Sequence, residues 1–380
     1  MSGVIDLRLV GADGEASWVD GRVGKARFGA GHQGLRLGEA ALVWNPRFSD
    51  TLSAVVVGES QDGQRHLIEL GEGYLAYRSR PGSAVRISGR AGVFYPPISL
   101  EHDGLDWSVA DTLTPSAINS WVAEETKVVG VEATVRRTLG DQTFTLTAGG
   151  FKHGDTSGTE LTFRGWALHD LKSPVFGRFP LPPLSAKMAT RQAPFTTPLA
   201  EIDGHIGYYG RLAWQPSSRV TIDLFGYDNR GDRTSVDAHR EWSWQTRFWN
   251  LGARLDLDAV ALKAQAMTGE TLMGYSNALG IWADMGFEAA YVSASKAVGP
   301  GSLTARLDHF STTDRTNKGT DNNAEHGWSQ LAAYRWDVMP NRQVVFEALR
   351  ISSFRRDRAR LGLAPRQTQT VLQAAFRQQF

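Results

Sequence analysis

The stretch Thr368-Gln369-Thr370-Val371-Leu372-Gln373-Ala374-Ala375-Phe376-Arg377-Gln378-Gln379-Phe380 alternates in steps of two. Leu372, Ala374, Phe376 and Phe380 fall on one face, and Gln373, Ala375, Arg377 and Gln379 fall on the other. A period of two belongs to a strand. A soluble protein gains little by ending a strand on an exposed Phe, whereas a strand with lipid on one side and a wet lumen on the other ends this way. The reading puts Arg377 and Gln379 toward a lumen and Phe376 toward lipid.

Working back from this end, paired alternating segments flank short joints. Val129, Val131, Ala133 and Val135 alternate with Gly130, Glu132, Thr134 and Arg136, and after Leu139-Gly140-Asp141 the pattern resumes through Phe144, Leu146 and Ala148. Tyr208, Gly210, Leu212 and Trp214 precede Gln215-Pro216-Ser217-Ser218, and Val220, Ile222 and Leu224 follow it. Further joints fall at Asp256-Leu257-Asp258, Val298-Gly299-Pro300-Gly301 and Val338-Met339-Pro340-Asn341. These are hairpins with an apolar and a polar face. All 15 Pro fall in expected turns or loops, as a hydrogen-bonded sheet requires. Trp44, Trp214 and Trp336 each come just before a short joint, where an interfacial girdle belongs.

Short joints alternate with long polar ones: Phe94 to Thr126, Leu181 to Ala200, Thr268 to Met285, and Ser311 to Gly327. Counting back from Phe380 gives about 18 strands, including a weak one at Val175 to Phe179; reading that one as loop and merging another gives about 16. The expectation is therefore all-β: a closed antiparallel transmembrane β-barrel of 16–18 strands, 18 favoured, forming one domain over residues 1–380.

Composition agrees. The 41 Lys and Arg nearly cancel the 40 Asp and Glu, so bulk charge implies no nucleic-acid partner. The lack of Cys excludes disulfide scaffolds, thiol chemistry and Cys-ligated zinc. No stretch approaches the roughly 20 apolar residues of a transmembrane helix. Ser2 to Arg8 reads as a strand rather than a signal-peptide core, so the chain is read as a mature exported form carrying Met1 from expression.

The terminal Phe380 with Leu372, Ala374 and Phe376 before it resembles the C-terminal signature of Gram-negative outer-membrane β-barrels, and Gln378 departs from it. The resemblance implies a bacterial outer-membrane location, short periplasmic turns, long extracellular loops and recognition by the barrel-assembly machinery. It further implies contact with membrane lipid and lipopolysaccharide, and the homotrimers common among porins.

Few residues suggest chemistry. Gly29-Ala30-Gly31-His32-Gln33-Gly34 matches a dinucleotide-binding string but opens no helix, so it reads as loop. The nine His lack a metal-ligand spacing. Asp321, Asn323 and Glu325 lack the pattern of a calcium loop. His102 stands beside Glu101 and Asp103, but no nucleophile elbow accompanies it. The expectation is no enzyme, no cofactor and no metal.

With the apolar faces toward lipid, Arg86, Arg90, Arg136, Arg164, Arg211, Arg254, Lys263 and Arg306 point into the lumen with Glu132, Asp223, Glu288 and Asp308. A basic side chain facing mid-bilayer costs about 2–4 kcal/mol, which favours that placement. The segment 94–126 carries apolar anchors (Ile98, Leu105, Trp107, Trp121) and the acids Glu101, Asp103, Asp106 and Asp111, and is the candidate inward-folded constriction loop. By resemblance to general porins, its acids face a basic wall, for which Arg86, Arg90, Arg136 and Arg164 are the candidates. The function so implied is a porin-like channel for small hydrophilic, anion-leaning solutes. The alternative is a closed barrel acting as a structural protein, adhesin or receptor through its loops.

Overall fold

Ile5, Leu7 and Leu9 face outward while Asp6, Arg8 and Val10 are buried, and this alternation recurs around the whole molecule. The computed structural model describes every residue except 81, 83, 278, 279 and 317–320. Its main strands are β1 (Ser2–Ala12), β2 (Gly34–Trp44), β3 (Leu52–Ser60), β4 (Glu69–Arg78), β5 (Val85–Phe94), β6 (Val128–Leu139), β7 (Gln142–Lys152) and β8 (Gly207–Ser217). They continue with β9 (Val220–Asp228), β10 (Gln245–Asp256), β11 (Val260–Asn277), β12 (Gly280–Val298), β13 (Gly301–Asp314), β14 (Glu325–Met339), β15 (Arg342–Arg355) and β16 (Arg366–Gln379). Each pairs antiparallel with its sequence neighbours, and β1 closes on β16 from Val4↔Gln379 to Ala12↔Val371. Closure leaves no free edge, the condition for a sheet to cross a bilayer.

The barrel thus has 16 strands among the described residues, not the favoured 18. The proposed strand Val175 to Phe179 is not part of it; Phe179–Pro180 forms only a two-residue ladder with Phe195–Thr196 inside the β7–β8 connection. Flanking prolines deny that stretch the N–H groups of a longer ladder. Pro180 therefore sits in a ladder after all, and Pro216 lies within β8. There the register already shifts between Trp214 and Ser217, so no regular ladder bond is lost.

The expected loop Thr268 to Met285 is largely strand, because β11 and β12 run on for 18 and 19 residues. Their outward faces there carry charge rather than an apolar alternation: Arg315 pairs with Glu270 at 2.9 Å and Asp284 at 3.1 Å. Glu288, expected in the lumen, lies on this outer surface and accepts from Ser311 Oγ at 3.1 Å. Residues 278 and 279 of that expected loop, and 317–320 of the one at Ser311 to Gly327, lie outside the described residues.

On β16 the alternation follows the reading of the sequence. Leu372, Phe376 and Phe380 are exposed on the outer face, whereas Gln373, Ala375 and Arg377 are buried on the inner one. Gln378 stands at the outer boundary, where it accepts from Arg342 Nε at 2.6 Å. Trp44, Trp214 and Trp336 are exposed near the end of the barrel that carries the termini, and Trp249 and Trp328 near the opposite end. Aromatics at both rims of an apolar outer surface mark two membrane–water boundaries.

Candidate functional site

Side chains on the inner face divide the lumen into two parts. In the half nearer the long connections, the segments following β1, β5 and β7 turn inward and are packed. After β5, Ser116 caps helix α1 (Ala117–Glu125) by accepting from the Asn119 N–H, and all nine helix residues are buried. Its apolar side chains pack on the barrel's inner aromatics, and its buried polar ones are bonded: Asn119 donates to Glu101 at 2.5 Å and Glu124 pairs with Arg164. Trp121 fills the centre, its ring 5.2 Å from those of Phe248 and Phe287, which come from β10 and β12.

The charges in this half are paired. Arg306 on β13 meets Asp308 at 2.9 Å, Glu101 at 3.3 Å and the Thr114 carbonyl at 2.7 Å. Asp170, between β7 and β8, is held by Arg8 at 2.6 Å and Arg27 at 3.0 Å; despite burial, these two guanidiniums keep its pKa below the usual carboxylate range. Glu39, Glu59 and Asp106 lie close enough to share a metal ion. The Lys172 ammonium occupies that position instead, at 2.5, 3.3 and 2.5 Å from them.

Arg164 was expected on the barrel wall. It caps the short buried helix α2 (Thr159–Phe163) between β7 and β8 and binds Glu124 of α1 at 2.5 Å. Periodicity cannot separate a strand from a short helix over so few residues. Burial alone would raise the Glu124 pKa, but Arg164 and His169 outweigh it and hold it at about 2. Among the described residues Glu125 has no such ion pair; burial and the neighbouring Glu124 push it up to about 7, although it accepts from Glu160 N–H and Trp121 Nε1.

Along the wall of β3 to β8 the half nearer the short turns is open, whereas on the opposite wall the segment after β5 packs down to Arg377. A cavity of about 840 Å³ is lined from the β2–β3 turn and the inner faces of β4 to β6, including Arg47, Arg78, Arg90 and Glu132. A second, of about 500 Å³, is lined by Arg78, Arg86, Ser88, Thr134, Arg136 and Arg211, among others. Between the halves, Arg90 binds Glu132 at 2.9 Å, and Tyr209 donates to Glu132 at 2.6 Å. Tyr209 reaches across Gly149, where a Cβ would lie 2.2 Å from its ring.

The sequence reading set the acidic loop against Arg86, Arg90, Arg136 and Arg164. The structure brings those acids to another wall. Asp103 meets Lys263 at 3.3 Å and Arg254 at 3.8 Å, and Asp111 meets Lys263 at 3.4 Å and Arg335 at 3.2 Å. Glu101 joins Arg306, and Asp106 joins Lys172. The segment leaves β5 and crosses the lumen, so Glu101, Asp103 and Asp111 meet β10–β14, while Asp106 stays with Lys172 beside Glu39 of β2 and Glu59 of β3. Arg211 is taken by Asp223, with Nε at 2.6 Å.

Among the described residues, Arg78, Arg86 and Arg136 have no carboxylate at ion-pair distance. Arg78 and Arg335 were missed by the sequence reading, although their alternation with exposed Tyr77 and Trp336 would have found them. The calcium candidates serve as structural ties: Glu325 pairs with Lys25 at 2.6 Å, and Asp321 accepts from Ser185.

The segment after β5 holds a Ser–His pair. Ser99 Oγ lies 2.7 Å from His102 Nδ1, but it also accepts the N–H groups of Glu101 and His102 and so caps a turn. His102 stacks on Trp107 with ring centroids 3.6 Å apart.

The fold is shared with solved outer-membrane proteins. They include OmpT of Vibrio cholerae (9% identity, TM-score 0.52, covering 100% of this chain and 96% of that one). An anion-selective porin from Comamonas acidovorans matches with 11% identity and TM-score 0.54, over 100% and 98% of the two chains. The outer membrane channel DcaP of Acinetobacter baumannii matches with 11% identity and TM-score 0.54, over 100% and 96%. No protein-family model and no curated protein matches the sequence. With the apolar outer surface and its aromatic rims, the chain has the fold of porin-like bacterial outer-membrane β-barrels.

Proposed function

We propose that the chain is a channel for passive diffusion of small hydrophilic solutes, anions favoured over cations, without chemistry or cofactor. The observation that carries this is the wet periplasmic vestibule, whose wall holds Arg78, Arg86 and Arg136 without acidic partners. An uncompensated basic surface in a narrow aqueous lumen raises the local anion concentration. Arg90, Glu132, Arg211 and Arg254 complete the polar lining, Asp103 and Asp111 edge the constricting segment, and Lys263 and Arg306 are buried beneath that segment. Membrane lipid, lipopolysaccharide, the assembly machinery and two further copies in a homotrimer are the partners this reading carries; OmpT of Vibrio cholerae is known in a trimer form.

Planar-bilayer recording tests the proposal. Single-channel conductance with a reversal potential on the anion side is expected, and the preference should shrink as salt rises and screens the arginines. A second reading, a closed barrel acting through its loops, is favoured by one observation: nearly every residue from Gly154 to Ser173 is buried in the extracellular half. The absence of any conductance would establish that reading instead.

A further inference from the structure

We propose that the facing arginines of β5 and β6 form a binding site for one small dianion, an oxyanion such as sulfate, hydrogen phosphate or a short dicarboxylate. The proposal deepens the anionic-solute reading and rests on its placement of these side chains in the wet vestibule.

The register makes the site. Arg86 and Arg136 are direct cross-strand partners on the inner face. Residues so placed have Cβ atoms about 5 Å apart, and like charges in that position oppose each other. Deeper on this wall Arg90 has a carboxylate in Glu132 and Arg211 has one in Asp223. The Arg86–Arg136 pair has none among the described residues. Two more cations stand one row above, Arg78 without a carboxylate among the described residues and Arg211 bound to Asp223, where the register runs Arg78↔Ser88↔Thr134↔Thr147↔Arg211.

The space between these groups fits a small ion. The cavity of about 500 Å³ is lined by Arg78, Arg86 and Arg136 together with the hydroxyl residues Ser88, Thr134 and Thr145, and no Asp or Glu is among its lining residues. A smaller cavity of about 250 Å³ reaches Arg86 and Arg136 from the Thr138 side. Guanidinium groups bind oxyanions through paired, charge-assisted N–H donors. A monovalent anion would leave one of the two facing charges uncompensated, whereas a dianion matches both. The hydroxyls can donate to the oxygens that the arginines leave free.

Isothermal titration of the folded protein in detergent micelles, with sodium sulfate against sodium chloride at equal low ionic strength, tests the site. Saturable binding of one sulfate is expected, with phosphate and succinate competing. Arg86→Gln with Arg136→Gln should weaken it at least about tenfold. Arg219→Gln, at a turn arginine paired with Asp258, should leave it unchanged. If the double variant lacks the β circular dichroism of the parent, each single variant is measured and should weaken binding on its own. Sulfate heats equal to those of chloride, or undiminished binding in the arginine variants, would overturn the site. Sulfate binding in micelles without conductance in bilayers would remove the channel reading and keep the site; conductance without sulfate binding would do the reverse.

Discussion

Two walls of one barrel treat positive charge in opposite ways. On β10, β11, β13 and β14, the side chains of Arg254, Lys263, Arg306 and Arg335 meet carboxylates of the inward segment. On β4 to β6, Arg78, Arg86 and Arg136 face water without such partners. The difference follows desolvation. A cation covered by the packed segment, as Lys263 and Arg306 are, must be paired, since leaving it bare in a low-dielectric interior costs several kcal/mol. A cation facing a wet vestibule keeps its hydration, so it can stay unpaired and available to a solute.

The comparison breaks most severely at Arg306. Arg306→Met strands Asp308 and Glu101 in the packed half, with an expected loss of about 3–5 kcal/mol in denaturant unfolding of the detergent-folded barrel. A boundary substitution comes next. Gly149→Val places side-chain atoms where Tyr209 crosses to Glu132, and the overpacking should cost about 1–3 kcal/mol in the same assay.

The packed wall should also respond to pH. The folded state holds the Glu125 proton up to about 7 against an ordinary 4.5, so that contribution is full below 4.5 and is lost as pH rises through about 7. Glu124, held at about 2, contributes in the opposite sense: its share is present above 4.5 and is lost as pH falls toward 2. Amide exchange in α1, corrected for its intrinsic rate, should therefore quicken from about pH 5 to about pH 8. Glu125→Gln should flatten that change; an unchanged slope would remove Glu125 as its source.

The smallest effects are on selectivity. Asp103→Asn with Asp111→Asn strips partners from Lys263, Arg254 and Arg335 and makes the paired wall resemble the free one. Anion preference in reversal potentials should rise, by about the amount that it falls on replacing Arg86 and Arg136 with Gln.

Much of the barrel was legible because a strand between lipid and water must alternate residue by residue. The reading faltered where that constraint lapses. Beyond the membrane, β11 and β12 turn charges outward at Glu270 and Asp284, so extended hydrogen-bonded strands looked like loop. Val175 to Phe179 carried strand-like residues, but prolines confine its ladder to a single short pairing. Arg164 was assigned to a wall because nothing local tells a short buried helix from a strand.

From the chain alone came the alternation of a closed sheet, the outward residues of the terminal strand, and the inward placement of Arg86, Arg90, Arg136, Arg211, Arg254, Lys263 and Arg306. Those are consequences of backbone geometry and of the cost of charge in lipid, and both act residue by residue. Which arginines are neutralised is settled by the closed barrel. That depends on where the segment after β5 lands across the lumen, on contacts between residues more than 100 positions apart such as Asp103 and Lys263. Pairing over such separations leaves no periodic trace in the chain, so the free arginines emerge only once the barrel has closed around its own loop.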